Sequence, residues 1–171
     1  MTDIFEVPIP DTDLLDKAEQ LRLASIKTSQ TNNNERIRAL NLMADYLEKN
    51  SNEIIKANIE DYKNAKNKGI SKALLSRLKL SKDKLFLGIE GVRKVADLSD
   101  PTGQIQIKKE LSEGLILERK TVPIGVLGVI FESRPDAVIQ ISSLAIKSGN
   151  GVMLKGGSEA NFTNLAIVSA L

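Results

Sequence analysis

The stretch from residue 121 to residue 171 constrains the fold of this chain more than any other. It carries only six of the chain's 46 charged residues: Glu132, Arg134, Asp136, Lys147, Lys155 and Glu159. What remains is largely Val, Ile, Leu and Gly, with two short apolar runs, Val126–Phe131 and Gly151–Lys155, on either side of a helical pattern. Runs so poor in charge read as strands buried on both faces, as in a parallel sheet. Between them Pro135 suits a first helical position and Asp136 a first turn. Val138, Ile141 and Ala145 supply one apolar face, and Lys147 with Gly149 supplies the stop. From Val126 to Lys155 is 30 residues, the length of one βαβ unit. A right-handed crossover makes the two strands parallel neighbours. Ser158 then reads as the cap of a further helix carrying Leu165, Ala166 and Val168.

Ligands of an open parallel sheet bind beyond the carboxyl ends of its strands. Phe131-Glu132-Ser133-Arg134 and Lys155-Gly156-Gly157-Ser158-Glu159 therefore open onto one edge. Taken singly, Gly156-Gly157 is a tight turn and Ser158 a cap. Taken together with Lys155, Glu159 and Arg134, they point to a nucleotide or anion site, with helix amides as donors. Two stricter patterns fail. Position 154 is Leu where the dinucleotide motif GxGxxG needs Gly, and Gly157 stands where a P-loop needs Lys.

The upstream part is charge-rich and helical by periodicity from about residue 13 to 97. Ile37, Leu40, Met43, Ala44 and Leu47 share one face. Asn50 and Glu53 have the spacing of a capping box for a helix with Ile54, Ile55, Ile59 and Tyr62 inward. Gly69 stops that helix; Ser71 caps a short one through Leu74, Leu75 and Leu78. Ser81 opens another with Leu85, Ile89, Val92 and Ala96 on one side. Thr31–Asn34 reads as an interhelical loop and Asp100–Gly103 as a turn. Ile105, Ile107 and Leu111, then Leu115, Leu117 and Thr121, alternate around Ser112-Glu113-Gly114 as a β-hairpin, with Lys108, Glu110, Glu118 and Lys120 on its opposite face. Two readings of this hairpin stand side by side: a solvated ribbon, or an edge for oligomerisation.

Composition narrows the chemistry. The 171 residues contain no Cys, His or Trp, which excludes from this chain disulfides, zinc–thiolate sites, thiol nucleophiles and imidazole acid–base steps. No metal site is expected. Lys and Arg (24) nearly balance Asp and Glu (22) and are scattered, unlike a nucleic-acid footprint. The opening MTDIFEVPIPDTD is acidic and resembles neither a signal nor a transit peptide. No apolar run is long enough to span a membrane. A cytoplasmic protein with neither nucleic-acid nor membrane partners is expected.

The segments VPIGVLGVIFESRPDAV and KSGNGVMLKGGSEA resemble the gamma-glutamyl phosphate reductase (glutamate-5-semialdehyde dehydrogenase) family of the aldehyde dehydrogenase superfamily. RIRALNLMADYL, NIEDYKNAKNKG and LSRLKL resemble its helical N-terminal region more loosely. The resemblance implies an α/β, aldehyde dehydrogenase-like fold: N-terminal helices (1–103), an oligomerisation-type β-hairpin (104–122), and the first βαβ unit of an incomplete Rossmann-like NADP-binding sheet (123–171). It implies NADPH-dependent reduction of L-glutamyl 5-phosphate to L-glutamate 5-semialdehyde with release of phosphate, a step of proline biosynthesis. The full-length family enzyme is expected to be a homo-oligomer and to associate functionally with glutamate 5-kinase.

By the same resemblance, Lys155 and Glu159 align with the Lys and Glu that hold the adenosine ribose, with Gly157 and Ser158 between them. Ile130, Phe131 and Glu132 occupy the strand end lying along the cofactor. Ser133 falls where other aldehyde dehydrogenases place an oxyanion-hole asparagine. Arg134 is characteristic of the reductases and is read either as a contact to the substrate's phosphate or carboxylate or as a structural ion pair. A carboxylate at position 159 suits the 2′-hydroxyl of NAD, whereas Lys155 can pair with the 2′-phosphate of NADP. The family's nucleophile is a cysteine, and this chain has none, so the chain alone is expected to be inactive, loosely packed and weak in NADPH binding. The alternatives are a non-catalytic helical adaptor that carries a βαβ unit, or part of a fused kinase–reductase.

Overall fold

The computed structural model describes residues 12–171, so residues 1–11 of the acidic opening lie outside the described residues. Five helices come first: α1 (Thr12–Ser29), α2 (Asn33–Lys49), α3 (Ser51–Asn67), α4 (Lys72–Leu78) and α5 (Lys82–Asp97). A hairpin of β1 (Ile105–Ser112) and β2 (Leu115–Lys120) follows. The rest runs β3 (Val126–Ile130), α6 (Pro135–Lys147), β4 (Gly151–Lys155), a 3₁₀ turn at Ser158–Ala160 and α7 (Asn161–Ser169).

The expected faces of α2 and α5 are the ones buried. Leu40, Met43, Ala44 and Leu47 meet Leu85, Ile89, Val92 and Ala96, together with Ile54 of α3, Val138 and Ile139 of α6 and Ile167 of α7. Each fully buried Leu or Ile there contributes roughly 1.5–3 kcal/mol. Helices α2, α3 and α5 and the βαβ segment thus share one core, while Leu75 and Leu78 of α4 pack in a smaller cluster with Ala65 and Ala160. Ser71 and Ser81 cap α4 and α5 by accepting from Leu74 N and Lys84 N. At Gly69 (φ +74°) the amides of Gly69 and Ile70 bond back to Lys66 O and Ala65 O, closing the end of α3.

Three upstream expectations are corrected. The capping box belongs to α2, not α3: Asn32 Oδ1 accepts from Glu35 N and Glu35 Oε2 accepts from Asn32 N. Asn50 instead ends α2, donating its side-chain amide to Tyr46 O, and gives α3 no side-chain cap. Consequently Asn33 and Asn34, expected in a loop, are helical. On α3, Ile59 is 64% exposed, whereas Asn58 and Asp61 are buried. The inward face is partly polar because those two side chains bind neighbouring backbone. Asn58 donates to Leu78 O (2.9 Å) and accepts from Leu80 N (2.8 Å), fixing the α4–α5 connection.

The βαβ unit forms as read: β3 and β4 are parallel neighbours, with Val126 opposite Gly151 and Ile130 opposite Lys155. Phe131, expected in the strand, lies just past it and donates its amide to Lys155 O. Burial on both faces is corrected. Alternate residues of β3 are exposed, and Ile130 is 82% exposed, because among the described residues this sheet has only the two strands β3 and β4. Helix α1 packs so closely on β4 that a Cβ on Gly151 would stand 2.9 Å from the Ser25 Cβ. The amides of Gly149 (φ +70°) and Asn150 close α6 onto Ile146 O and Ala145 O.

Ser158 is not the cap of α7. It opens the 3₁₀ turn and makes no capping bond. The α7 N-terminus is satisfied from α3: Asp61 Oδ2 accepts from Thr163 N (2.7 Å) and Thr163 Oγ1 (2.6 Å), and Asp61 Oδ1 from Phe162 N (3.3 Å). Leu165 and Val168 of α7 are exposed, and Ile167 with Thr163 turns inward.

Buried Lys147 ties the same core together, donating to Asn33 Oδ1 and Ala96 O. Buried Arg36 holds Asp100 in two 2.8 Å hydrogen bonds. The hairpin turns at Gly114 (φ +75°) and closes at its base through Gly103 N to Thr121 O. Both strands are exposed, apart from a half-buried Glu118, which pairs with Lys108 and Lys120. Among the described residues no helix is long and apolar enough to cross a membrane.

Candidate functional site

The two loops at the carboxyl ends of β3 and β4 are joined directly. Ser133 N and Ser133 Oγ both donate to one oxygen of Glu159, at 2.7 and 2.6 Å. Ser133 is 1% exposed and has φ +42°, the only non-glycine residue with positive φ among those described. That backbone turn aims its amide and hydroxyl at the same acceptor. Burial alone would raise the Glu159 carboxyl; the Ser133 hydroxyl and amide, its own amide and the charge of Lys155 outweigh it and hold the group below its ordinary value. The carboxylate lies over Gly157, where a Cβ would collide with it. Gly156 is likewise confined, beneath the ring of Phe131 and the amide of Asn164.

Lys155 lies exposed at the end of β4, with its ammonium near Gly156 O (3.2 Å). It forms no ion pair within 4.0 Å among the described residues. Ile130 and Glu132 are exposed and Phe131 is half-buried against the core. Ser158 is exposed beside a hollow of about 290 Å³ that Glu159, Asn161 and Lys68 also line.

Arg134 turns to the other side of the β3–α6 loop. It is exposed, 4.0 Å from Asp136, and lines a cleft of about 970 Å³ between α5 and α6. Arg77 and Lys84 line the same cleft, as do Gln140 and Ser143. Sequence reading missed Arg77 and Lys84, because α4 and α5 meet α6 only through the tertiary fold.

Lys155, Gly157 and Glu159 are therefore brought together, with Ser133 reaching them from the neighbouring loop, and Arg134 is kept apart. The expectation that α7 amides would cradle an anion is corrected. Asp61 already accepts from Phe162 N and Thr163 N, so these two amides at the start of α7 are not open to an anion. The hydroxyl of Ser133 is engaged by Glu159. Among the described residues no group of three or more acidic side chains could hold a metal ion.

A parallel βαβ unit with a cation, an ionised carboxylate and paired glycines after its strands is part of an incomplete Rossmann-like α/β fold. No family model matches the chain. Gamma-glutamyl phosphate reductase of Prochlorococcus marinus (strain MIT 9515) is 88% identical over all 171 residues, which correspond to 39% of that protein. The enzyme of the same name from Synechococcus sp. (strain CC9902) is 54% identical over 165 residues, 96% of this chain and 38% of that protein. The crystal structure of gamma-glutamyl phosphate reductase from Thermotoga maritima superposes with a TM-score of 0.88 at 36% identity, covering 92% of this chain and 38% of that one. The Saccharomyces cerevisiae structure gives 0.88 at 39% identity, with 91% and 40% covered. The chain spans about two fifths of the length of the curated relatives it matches. In sequence and in fold alike, the resemblance to the gamma-glutamyl phosphate reductase family holds across the chain.

Proposed function

We propose that this chain supplies the nucleotide-facing and part of the substrate-facing surface of an NADPH-dependent reductase acting on L-glutamyl 5-phosphate. The observation that carries this reading is the β3/β4 edge, where Lys155 and Glu159 stand beside exposed Ile130. These residues fit a dinucleotide. An ionised carboxylate accepts from ribose hydroxyls, an unpaired ammonium attracts phosphate, and an exposed aliphatic side chain covers an apolar ring face. Lys155 and Glu159 would hold the adenosine ribose, with Gly157 leaving room for the carboxylate and Ser158 beside them. Ile130, Phe131 and Glu132 would run along the cofactor towards its reactive end.

The bound cofactor would supply hydride. In the whole reaction an acyl phosphate accepts that hydride and a proton, the C–O bond to phosphate breaks, and aldehyde and phosphate leave. The thiol that the family uses as nucleophile is absent from these 171 residues, so this surface binds and orients. Arg134, exposed and lining the α5–α6 cleft with Arg77 and Lys84, would pair with the phosphate or carboxylate of an anionic substrate; its exposure and these two neighbouring cations support that reading. Its 4.0 Å approach to Asp136 is the one observation favouring a structural ion pair instead.

The test uses a chimera, a full-length relative whose matching stretch is replaced by these 171 residues. Arg134→Lys should raise KM for glutamyl phosphate about tenfold with the NADPH KM unchanged, because lysine cannot make the two-point contact of a guanidinium. Unchanged kinetics would assign Arg134 to the ion pair.

A further inference from the structure

Lys155 and Glu159 carry opposite charges four residues apart on one turn, yet they form no ion pair within 4.0 Å among the described residues. The reason lies on the other loop. Ser133 donates both its amide (2.7 Å) and its hydroxyl (2.6 Å) to Glu159 Oε1, drawing the carboxylate towards the β3–α6 loop. The positive φ of Ser133 makes this double donation possible, and the missing side chain of Gly157 leaves the space the carboxylate fills. Lys155 is left with the carbonyl of Gly156, one residue away.

We infer that Ser133 is a positioning residue for coenzyme choice: by holding Glu159 away from Lys155, it keeps the ammonium available for a nucleotide 2′-phosphate. The inference rests on the reading of this edge as the nucleotide site. A carboxylate free to swing would neutralise Lys155 and face the ligand, and that arrangement favours an unphosphorylated ribose, whose hydroxyls a carboxylate accepts and whose lack of charge needs no cation. Held by Ser133, the carboxylate has one oxygen engaged, and its charge is partly satisfied within the protein. The chemistry selected is therefore a 2′-phosphorylated dinucleotide.

The experiment is fluorescence titration of NADPH and NADH against the chimera, with Ser133→Ala, Ser133→Gly and Lys155→Ala. Both Ser133 variants should weaken NADPH binding about fivefold, the scale of a gained exposed ion pair between Lys155 and Glu159, and leave NADH binding within about twofold. Ser133→Gly suits the positive φ, so it reports on the hydroxyl without backbone strain if the alanine variant folds poorly. An unchanged NADPH-to-NADH ratio, or a parallel loss of both, would overturn the inference, the second outcome marking a purely structural serine. Lys155→Ala separates the two levels. If it weakens NADPH while the Ser133 ratio stays constant, only the role of Ser133 fails; if it leaves NADPH binding untouched, the nucleotide reading fails as well.

Discussion

Removing the Asp61 carboxylate should loosen α7 more than any change at the residue that looks like its cap. Asp61 is 3% exposed and accepts two backbone amides and one hydroxyl from Phe162 and Thr163. Asp61→Ala removes a helix cap, at a cost of about 1 kcal/mol. It also leaves a buried amide without an acceptor, which costs about 1–3 kcal/mol. The Thr163 hydroxyl still accepts from Asn58 Nδ2 at 3.3 Å, but its proton loses its acceptor as well. The sum is about 3 kcal/mol, or roughly a 100-fold loss of protection for the first α7 amides. Ser158→Ala, at an exposed residue that caps nothing, should change stability by about 0.5 kcal/mol or less. The assay is hydrogen–deuterium exchange of the 158–169 segment in the chimera. A loss below threefold for Asp61→Ala, or an equal loss for Ser158→Ala, would refute this account of the α7 N-terminus.

Three further outcomes follow from the same structure. At Asp100, burial would raise the carboxyl, but Thr102, Arg36 and Lys147 together hold it below its ordinary value, as the Ser133 bonds do for Glu159. A folded pKa below the unfolded one means that the stabilisation is full above about pH 4 and is lost as pH falls through the folded value; Asp100→Asn should flatten that acid limb in denaturant titrations from pH 6 to 2. Leu117→Glu on the exposed hairpin should leave melting of the chimera within a degree or two and reduce its oligomeric mass by light scattering, whereas unchanged mass would favour the solvated ribbon. The 171-residue chain by itself exposes Val122, Ile124 and Ile130, so it should bind a hydrophobic dye and take up NADPH at least tenfold more weakly than the chimera; a cooperative melt with equal NADPH affinity would contradict this.

Local rules made much of the molecule legible. Serine caps at 71 and 81, the glycine stops at 69 and 149 and the apolar faces of α2 and α5 lie where spacing places them. The parallel βαβ unit was legible because its charge-poor runs sit at crossover spacing. What escaped was polar burial settled by distant partners. Nothing in the periodicity of α3 says that Asn58 and Asp61 turn inward while Ile59 turns out, because their acceptors and donors lie 20 to 105 residues away. Capping-box spacing occurs both at Asn50 and Glu53 and at Asn32 and Glu35 within an asparagine-rich run, and spacing alone does not say which pair closes. At the site, Lys155, Gly157 and Glu159 were legible as neighbours on one turn. The Ser133–Glu159 bonds were not, since they depend on a positive φ at a serine, which sequence gives no reason to expect.

The most direct measurement is a crystal structure of the chimera with NADP bound. The adenosine ribose is expected against Lys155 and Glu159, with the chain of the cofactor passing exposed Ile130 towards Glu132, and Ser133 still bonded to Glu159. A nucleotide seated in the α5–α6 cleft beside Arg77 and Arg134, or elsewhere with Lys155 and Glu159 untouched, would contradict it.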